Sequence, residues 1–536
     1  MNGALLIGIS IVVFIAGYKF WGGYVSRTLG VDPKRVTPAH TMEDGIDYVP
    51  TKPAVLLGHH FSSIAGAAPI IGPIVAASFG WVAVALWILI GGVFMGAVHD
   101  FASIIISIRH QGRSVGEVIE ARIGRRSKLL FLIFVFAALL LIMAVFTNAI
   151  ANLFHAFPEA GTASMLFIGI AVVFGLAVYR FKTNFVLTSV LGVAALMLCI
   201  WLGYLMPVRL SVNIWKLILL AYVVVASILP VWVLLQPRDY LNSFILYVML
   251  LGLVAGIIFV NPTLKLHGTP TFSTSQGPLM PILFVTVACG ALSGFHSLVA
   301  SGTTSKQLDN EAHAKPVGYG GMLIESLLAM GALITAAMLT KEQLAGQNPV
   351  AVFSNNAALL VSKLGIPFKI GRNFMALAVA AFALTSLDTA TRLGRFALQE
   401  FFMKKDREEQ PFLARNRYVA TFITVALGSV LVFSGTAKEI WPIFGAANQL
   451  LAALAFMTIS VWLVHLKKPI AFTMIPGVFI YFVTLFALGY NIWSYGKSAN
   501  YPLAVLSSIL IVLALFLGIE GVKNITAARS QKQELA

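Results

Sequence analysis

Gly58-His59-His60-Phe61-Ser62-Ser63-Ile64-Ala65-Gly66-Ala67-Ala68-Pro69 and Gly294-Phe295-His296-Ser297-Leu298-Val299-Ala300-Ser301-Gly302-Thr303-Thr304 are the two stretches that decide the fold. With one gap they align as Gly, one residue, His, then Ser, aliphatic residues and a small Gly-containing patch. Each interrupts an apolar run with residues that break or loosen a helix. Unwinding a helix inside lipid frees N–H and C=O groups that lipid cannot satisfy. Such a break is stable only where it lines a cavity or is buried in protein. Freed N–H groups and a half-helix N-terminus favour an anion. Freed carbonyls and Ser or Thr hydroxyls favour a cation. The competing reading is close helix packing through Gly and Ser, as expected for Gly92 and Gly96 in the next apolar run. Packing does not explain a His at both breaks.

The surroundings place both stretches in a membrane. The chain has 536 residues, 59% of them hydrophobic and only 11% charged. Its mean hydropathy is +0.88. These values exclude a soluble enzyme, a disordered chain and a fibrous repeat. The apolar runs are continuous rather than alternating, which disfavours a β-barrel. The net charge of +16 does not indicate nucleic acid, because the basic residues sit in loops between apolar runs. Cys199 and Cys289 lie far apart inside apolar stretches and read as reduced thiols. The first apolar segment has no basic region before it and reads as a retained helix.

Runs of roughly 18 or more apolar residues predict an all-α polytopic membrane protein with about fifteen transmembrane helices. They fall at 3–20, 61–79, 81–108, 128–154, 163–180, 184–206, 214–235, 241–261, 279–300, 317–341, 372–398, 416–435, 442–464, 469–491 and 502–521. Lys and Arg favour the loops of one side by about three to one. That bias puts the N-terminus outside and the C-terminus in the cytoplasm. The second span then runs outward and the ninth inward, and each opens a set of five. Two discontinuous helices at matching positions of a 5+5 inverted repeat mark a transporter's binding site. The predicted organisation is an accessory helix and loop (1–53), a first repeat (54–206), two intervening helices (207–278), a second repeat (279–464), and two C-terminal helices with a cytoplasmic tail (465–536).

Three segments carry a family resemblance. The residues from Gly58 to Gly66, Met95-Gly96-Ala97-Val98-His99-Asp100-Phe101, and Leu292 to Gln307 are similar to the carbon starvation protein family. The resemblance covers nearly the whole chain. It implies a proton-coupled uptake system of the bacterial inner membrane for pyruvate or small peptides, without choosing between them. It also implies the ten-helix inverted-repeat core of the amino acid–polyamine–organocation (APC, LeuT-like) superfamily.

Ionisable groups inside spans are costly and therefore functional candidates. His59, His60, Ser62, Ser63 and Gly66 at the first break, with Ser293, Gly294, His296 and Ser297 at the second, are the expected substrate contacts. A helix turns about 100° per residue, so at most one of His59 and His60 faces a common cavity. Each His carries a proton or fixes the break by bonding freed carbonyls. His99, Asp100, Glu325, Ser386, Asp388 and Thr389 are the expected ion-coupling residues. Asp100 orients His99 or caps the cytoplasmic end of its helix. Glu325 carries a proton or bonds a neighbour such as Ser326. Asp388 couples an ion or pairs with Arg392 one turn away. In the resembled superfamily this helix faces the first broken helix, with a cation site between them in sodium-coupled members. Asn148, Asn448 and Gln449 read as interhelical hydrogen bonders. His59, His60, Asp100 and His296 are metal-ligand types, but no compact spacing supports a site.

The expected function is a secondary transporter with no resident cofactor, coupled to a proton or alternatively to sodium. Its partners are a carboxylate or peptide solute and the bilayer. A channel lacks its repeated pore loop here. A membrane enzyme lacks a His-Glu-x-x-His helix and a Gly-x-Ser-x-Gly elbow. A pump lacks a Walker A motif.

Overall fold

The computed structural model describes residues 2–122, 124–404, 409–434 and 437–534. Long apolar segments become helices because a helix satisfies its own backbone in lipid. Eleven helices among the described residues are long and apolar enough to cross a membrane: Gly3–Leu29, Trp81–Ile108, Arg125–Ala156, Pro158–Arg180, Phe185–Leu205, Leu235–Val260, Glu311–Ala337, Phe368–Phe402, Ile440–His465, Ala471–Lys497 and Tyr501–Lys523. The runs predicted at 214–235 and 416–435 are shorter helices, Val212–Ile228 and Arg417–Phe433. A further apolar helix, Pro349–Ser362, lies between the runs predicted at 317–341 and 372–398. The Asn348 side chain caps it by accepting from the Val350 and Ala351 amides.

Both predicted breaks are present. Pro53–Ile64 and Ala68–Phe79 form one apolar stretch bent by 43°. Pro69 lies in the first turn of the second half, where a missing N–H costs nothing. A Cβ at Gly66 would stand 2.7 Å from the Ser386 hydroxyl, so only Gly lets the bend close on the neighbouring helix. The second stretch is fragmented more severely. Leu279–Thr286 and Ala288–Ala291 precede an extended pair, Leu292 and Ser293. Gly294–Val299 follows, then a π-helical turn at Ala300–Thr304 and a last turn at Ser305–Gln307. A Cβ at Gly294 would lie 2.2 Å from the Asn448 carbonyl oxygen, so the broken end is pressed against the Ile440–His465 helix.

Both broken stretches lie inside the molecule, and their residues from Phe61 to Ala65 and from Leu292 to Thr304 are buried. Phe368–Phe402 packs along Arg125–Ala156, and Leu235–Val260 packs on Pro53–Ile64. The outermost helices show the opposite pattern. Phe185–Leu205 exposes Leu187, Val190, Leu191 and Trp201, and the C-terminal helix exposes Val505, Ile509 and Phe516. Apolar exteriors of this kind face lipid. A short antiparallel hairpin pairs Ser273–Thr274 with Gly277–Pro278.

Candidate functional site

The histidines of the first break diverge, as successive helical residues must. His59 places Nδ1 2.8 Å from the Asp239 carboxylate. His60 places Nδ1 2.8 Å from the Thr304 hydroxyl of the second break. Ser62 donates to the Asp239 carbonyl at 3.1 Å, and Ser63 lies 3.5 Å from the Asp239 carboxylate.

Asp239 belongs to a larger ionic cluster. Arg238 donates to Asp239 at 2.8 Å and is ion-paired with Asp388. The Tyr222 hydroxyl joins Arg238 and Asp388, 2.5 Å from each. Arg238, Asp239, Asp388 and His59 are fully buried. One guanidinium therefore holds two carboxylates, and His59 supplies a further donor to one of them. The predicted alternative for Asp388 is corrected here. It does not pair with Arg392 one turn away. Arg392 instead reaches Asp47 at 3.1 Å and the Leu229 carbonyl. Arg238 and Asp239 were missed by the sequence reading, which put them in a loop between two spans. The structure puts them in the first turns of Leu235–Val260. Their signal was Gln236-Pro237-Arg238-Asp239, a polar run directly continuous with apolar sequence on both sides.

A second cluster forms at the other break. Asp100 accepts from Nδ1 of His99 at 2.9 Å and from Nδ1 of His296 at 2.9 Å. On its far side, His296 Nε2 stands 3.4 Å from the Glu325 carboxylate. All four side chains are fully buried. Glu325 has no hydrogen bond among the described residues, and neither has the Ser326 hydroxyl. The alternative reading of Glu325, a bond to Ser326, is therefore not formed, because the two side chains leave their helix in different directions. The His99 ring packs edge-on against Phe456. Trp81–Ile108, the second broken stretch and Glu311–Ala337 thus bring two acids and two imidazoles into one line, with no Lys or Arg in the chain of contacts.

The remaining candidates hold the breaks in place. Ser386 donates to the Ser63 carbonyl at 2.9 Å, and Thr389 approaches the Ser63 hydroxyl at 3.4 Å. Gly66 packs on the same Ser386. Asn448 accepts from the Phe295 amide at 2.8 Å and from Ser293 at 3.2 Å, which caps the broken end. Ser297 donates to the Gly294 carbonyl at 2.7 Å. Gln449 donates to the Phe284 carbonyl and Asn148 to the Val432 carbonyl, both across helices as expected. His59, His60, Asp100 and His296 do not converge, since the first two turn to Asp239 and Thr304. Among the described residues no three His, Cys, Asp or Glu side chains form a metal-ligand set.

The model of the carbon starvation protein CstA family matches residues 2–372 and 341–487. The chain belongs to this family. A peptide transporter CstA of Campylobacter jejuni is 32% identical, over 90% of this chain and 79% of the relative. The pyruvate/proton symporter BtsT of Escherichia coli is 31% identical, over 90% and 81%. A peptide transporter CstA of Bacillus subtilis is 30% identical, over 98% and 97%. Among solved structures, a manganese transporter of Eremococcus coleocola superposes with a TM-score of 0.50 at 15% identity, covering 91% of this chain and 99% of that one. That likeness concerns the fold alone. Family and helices together make the chain a multi-pass membrane protein of a transporter family.

Proposed function

We propose that this protein is a secondary active transporter that imports a small carboxylate-bearing nutrient, pyruvate or a short peptide, by proton symport. The observation that carries the coupling ion is the line His99, Asp100, His296 and Glu325 at the second break. It is built only of groups that change charge within reach of physiological pH when their surroundings shift. Among the described residues no Lys or Arg is in contact with it. The printed names of the relatives, a pyruvate/proton symporter and peptide transporters, agree with this reading.

The solute's carboxylate binds where the two broken stretches meet, near His60, Ser63 and His296. A proton on the second cluster neutralises the loaded carrier and favours its reorientation. The bundle then alternates access by rocking one five-helix repeat (54–206) against the other (279–464), in an APC, LeuT-like arrangement. The count of about fifteen crossings includes the bent, fragmented and shorter helices. The chain sits in the bacterial inner membrane with the N-terminus periplasmic and the C-terminus cytoplasmic, a reading its Lys and Arg bias supports. It performs no covalent chemistry.

A second reading has its own observation. The Ser63 carbonyl and the hydroxyls of Ser63, Ser386 and Thr389 form an oxygen group at the first break that suits sodium. The test is uptake of labelled pyruvate and labelled dialanine into proteoliposomes, with an inward proton gradient and with sodium exchanged for potassium. Accumulation driven by protons and indifferent to sodium supports the first reading. Accumulation that needs sodium and ignores the proton gradient overturns it in favour of the second.

A further inference from the structure

The mechanism leaves Lys306 unused. It sits on the last turn of the second broken stretch, between two residues that serve the buried histidines. Thr304 contacts His60, and the Gln307 amide lies 3.4 Å from His59. Lys306 points the other way, into a cavity of about 370 Å³ lined also by Tyr48, Arg113, Glu117, Lys128 and Glu400. A smaller cavity of about 30 Å³ shares Ser114, Lys306 and Glu400 with it and is lined by Leu298, Ser301 and Gly302 of the second break. The two cavities are neighbours through these three shared residues, and the smaller one is otherwise largely apolar. The Ser114 hydroxyl donates to Glu400 at 2.7 Å where they adjoin.

The charges in the larger cavity are not equally engaged. Lys128 is paired with both Glu117 and Glu120, and Arg113 lies 3.7 Å from Glu117. Among the described residues Lys306 has no ion pair within 4 Å, although the Asp47 and Glu400 carboxyls feel its charge from farther away. Its ammonium lies 4.6 Å from the Phe396 ring centre and 5.3 Å from that of Tyr48. Aromatic faces attract a cation without neutralising it. An ammonium held this way keeps its charge for an incoming anion. A π-helical turn stands directly before it, a form of helix that recurs at functional sites.

We propose that this cavity is the cytoplasmic vestibule of the transport path, and that Lys306 is its carboxylate subsite. The solute's carboxylate passes from the second break to Lys306 before release. This rests on the transporter reading above.

The test is exchange of labelled pyruvate and labelled dialanine in oriented proteoliposomes, with half-saturation measured separately at each face. Wild type, Lys306→Arg and Lys306→Met are compared in phosphatidylcholine vesicles with and without phosphatidylglycerol. Lys306→Met is expected to raise half-saturation about tenfold at the cytoplasmic face for at least one solute, the loss of one charge-assisted bond. The opposite face stays within about twofold, which shows that the variant is folded, and Lys306→Arg restores most of the affinity. Equal changes at both faces, or none, overturn the proposal. A change seen only with phosphatidylglycerol assigns Lys306 to a lipid phosphate and also overturns it. If wild type exchanges neither solute, the transport reading falls, and binding of the same two solutes to purified protein decides the subsite. Binding that Lys306→Met weakens sustains a carboxylate site there; binding it leaves unchanged, or none, overturns it.

Discussion

The two breaks use histidine in opposite company. His59 at the first break meets an aspartate already held by Arg238, whose other partner is Asp388. His296 at the second meets Asp100 and Glu325, with no permanent cation in contact among the described residues. A buried guanidinium stays charged at any physiological pH and ties its two carboxylates to one position. The line of acids and imidazoles at the second break has no such anchor among the described residues. On the proposed reading the first cluster fixes the position of the bend and the second gains and loses the coupling proton. Each break sets a histidine against different partners because the neighbouring helices differ.

The largest way to break this comparison is Arg238→Met. It leaves two carboxylates buried without their cation, and the expected loss of stability is about 3–5 kcal/mol. Thermal unfolding in detergent reads it, and adding Asp388→Asn returns part of the loss. A variant as stable as wild type removes the structural role assigned to the first cluster. Thr304→Val is milder. It deletes the contact with His60 and is expected to cost about 1 kcal/mol, seen as a small shift of the unfolding midpoint with proton coupling retained.

Asp47 sharpens the comparison from outside the membrane. Burial alone raises its carboxyl, but Lys306, Arg392 and Arg395 outweigh that and hold it below the ordinary carboxylate value. A carboxyl depressed in the folded state stabilises above its unfolded value, near pH 3.8, and that contribution is lost as pH falls through the folded value. Asp47→Asn is therefore expected to cost less than about 1 kcal/mol at neutral pH and to flatten the acid limb of stability against pH. An unchanged acid limb contradicts the pairing of Asp47 with Arg392.

Much of this was legible in the sequence, for reasons that also mark where legibility stopped. Both breaks showed as Gly, Ser, His and Pro inside apolar runs, because lipid makes such residues costly without a purpose. Asp100 beside His99 was readable because their contact is local. The link from Asp100 to His296 was not, since it joins residues 196 positions apart. Arg238 and Asp239 were hidden by lying where two apolar runs meet, a place that looks like a loop. Pro349–Ser362 fell below the length of a full crossing, although Asn348-Pro349 was a readable helix start. For Asp388, helical spacing offered Arg392 as an alternative to ion coupling, and only the tertiary fold brings in Arg238.

Solute-driven proton uptake by Glu325→Gln is the most direct test of the difference between the breaks. Glu325 has no hydrogen bond among the described residues, so the amide keeps its shape without deleting one. Labelled pyruvate and dialanine are followed in proteoliposomes together with an internal pH dye. Wild type is expected to acidify the interior as it takes up solute. Glu325→Gln is expected to remain folded, to exchange solute across the membrane, and to move no proton with it. A Glu325→Gln protein that still accumulates solute with a proton contradicts the account, because the second cluster would then not carry the coupling ion.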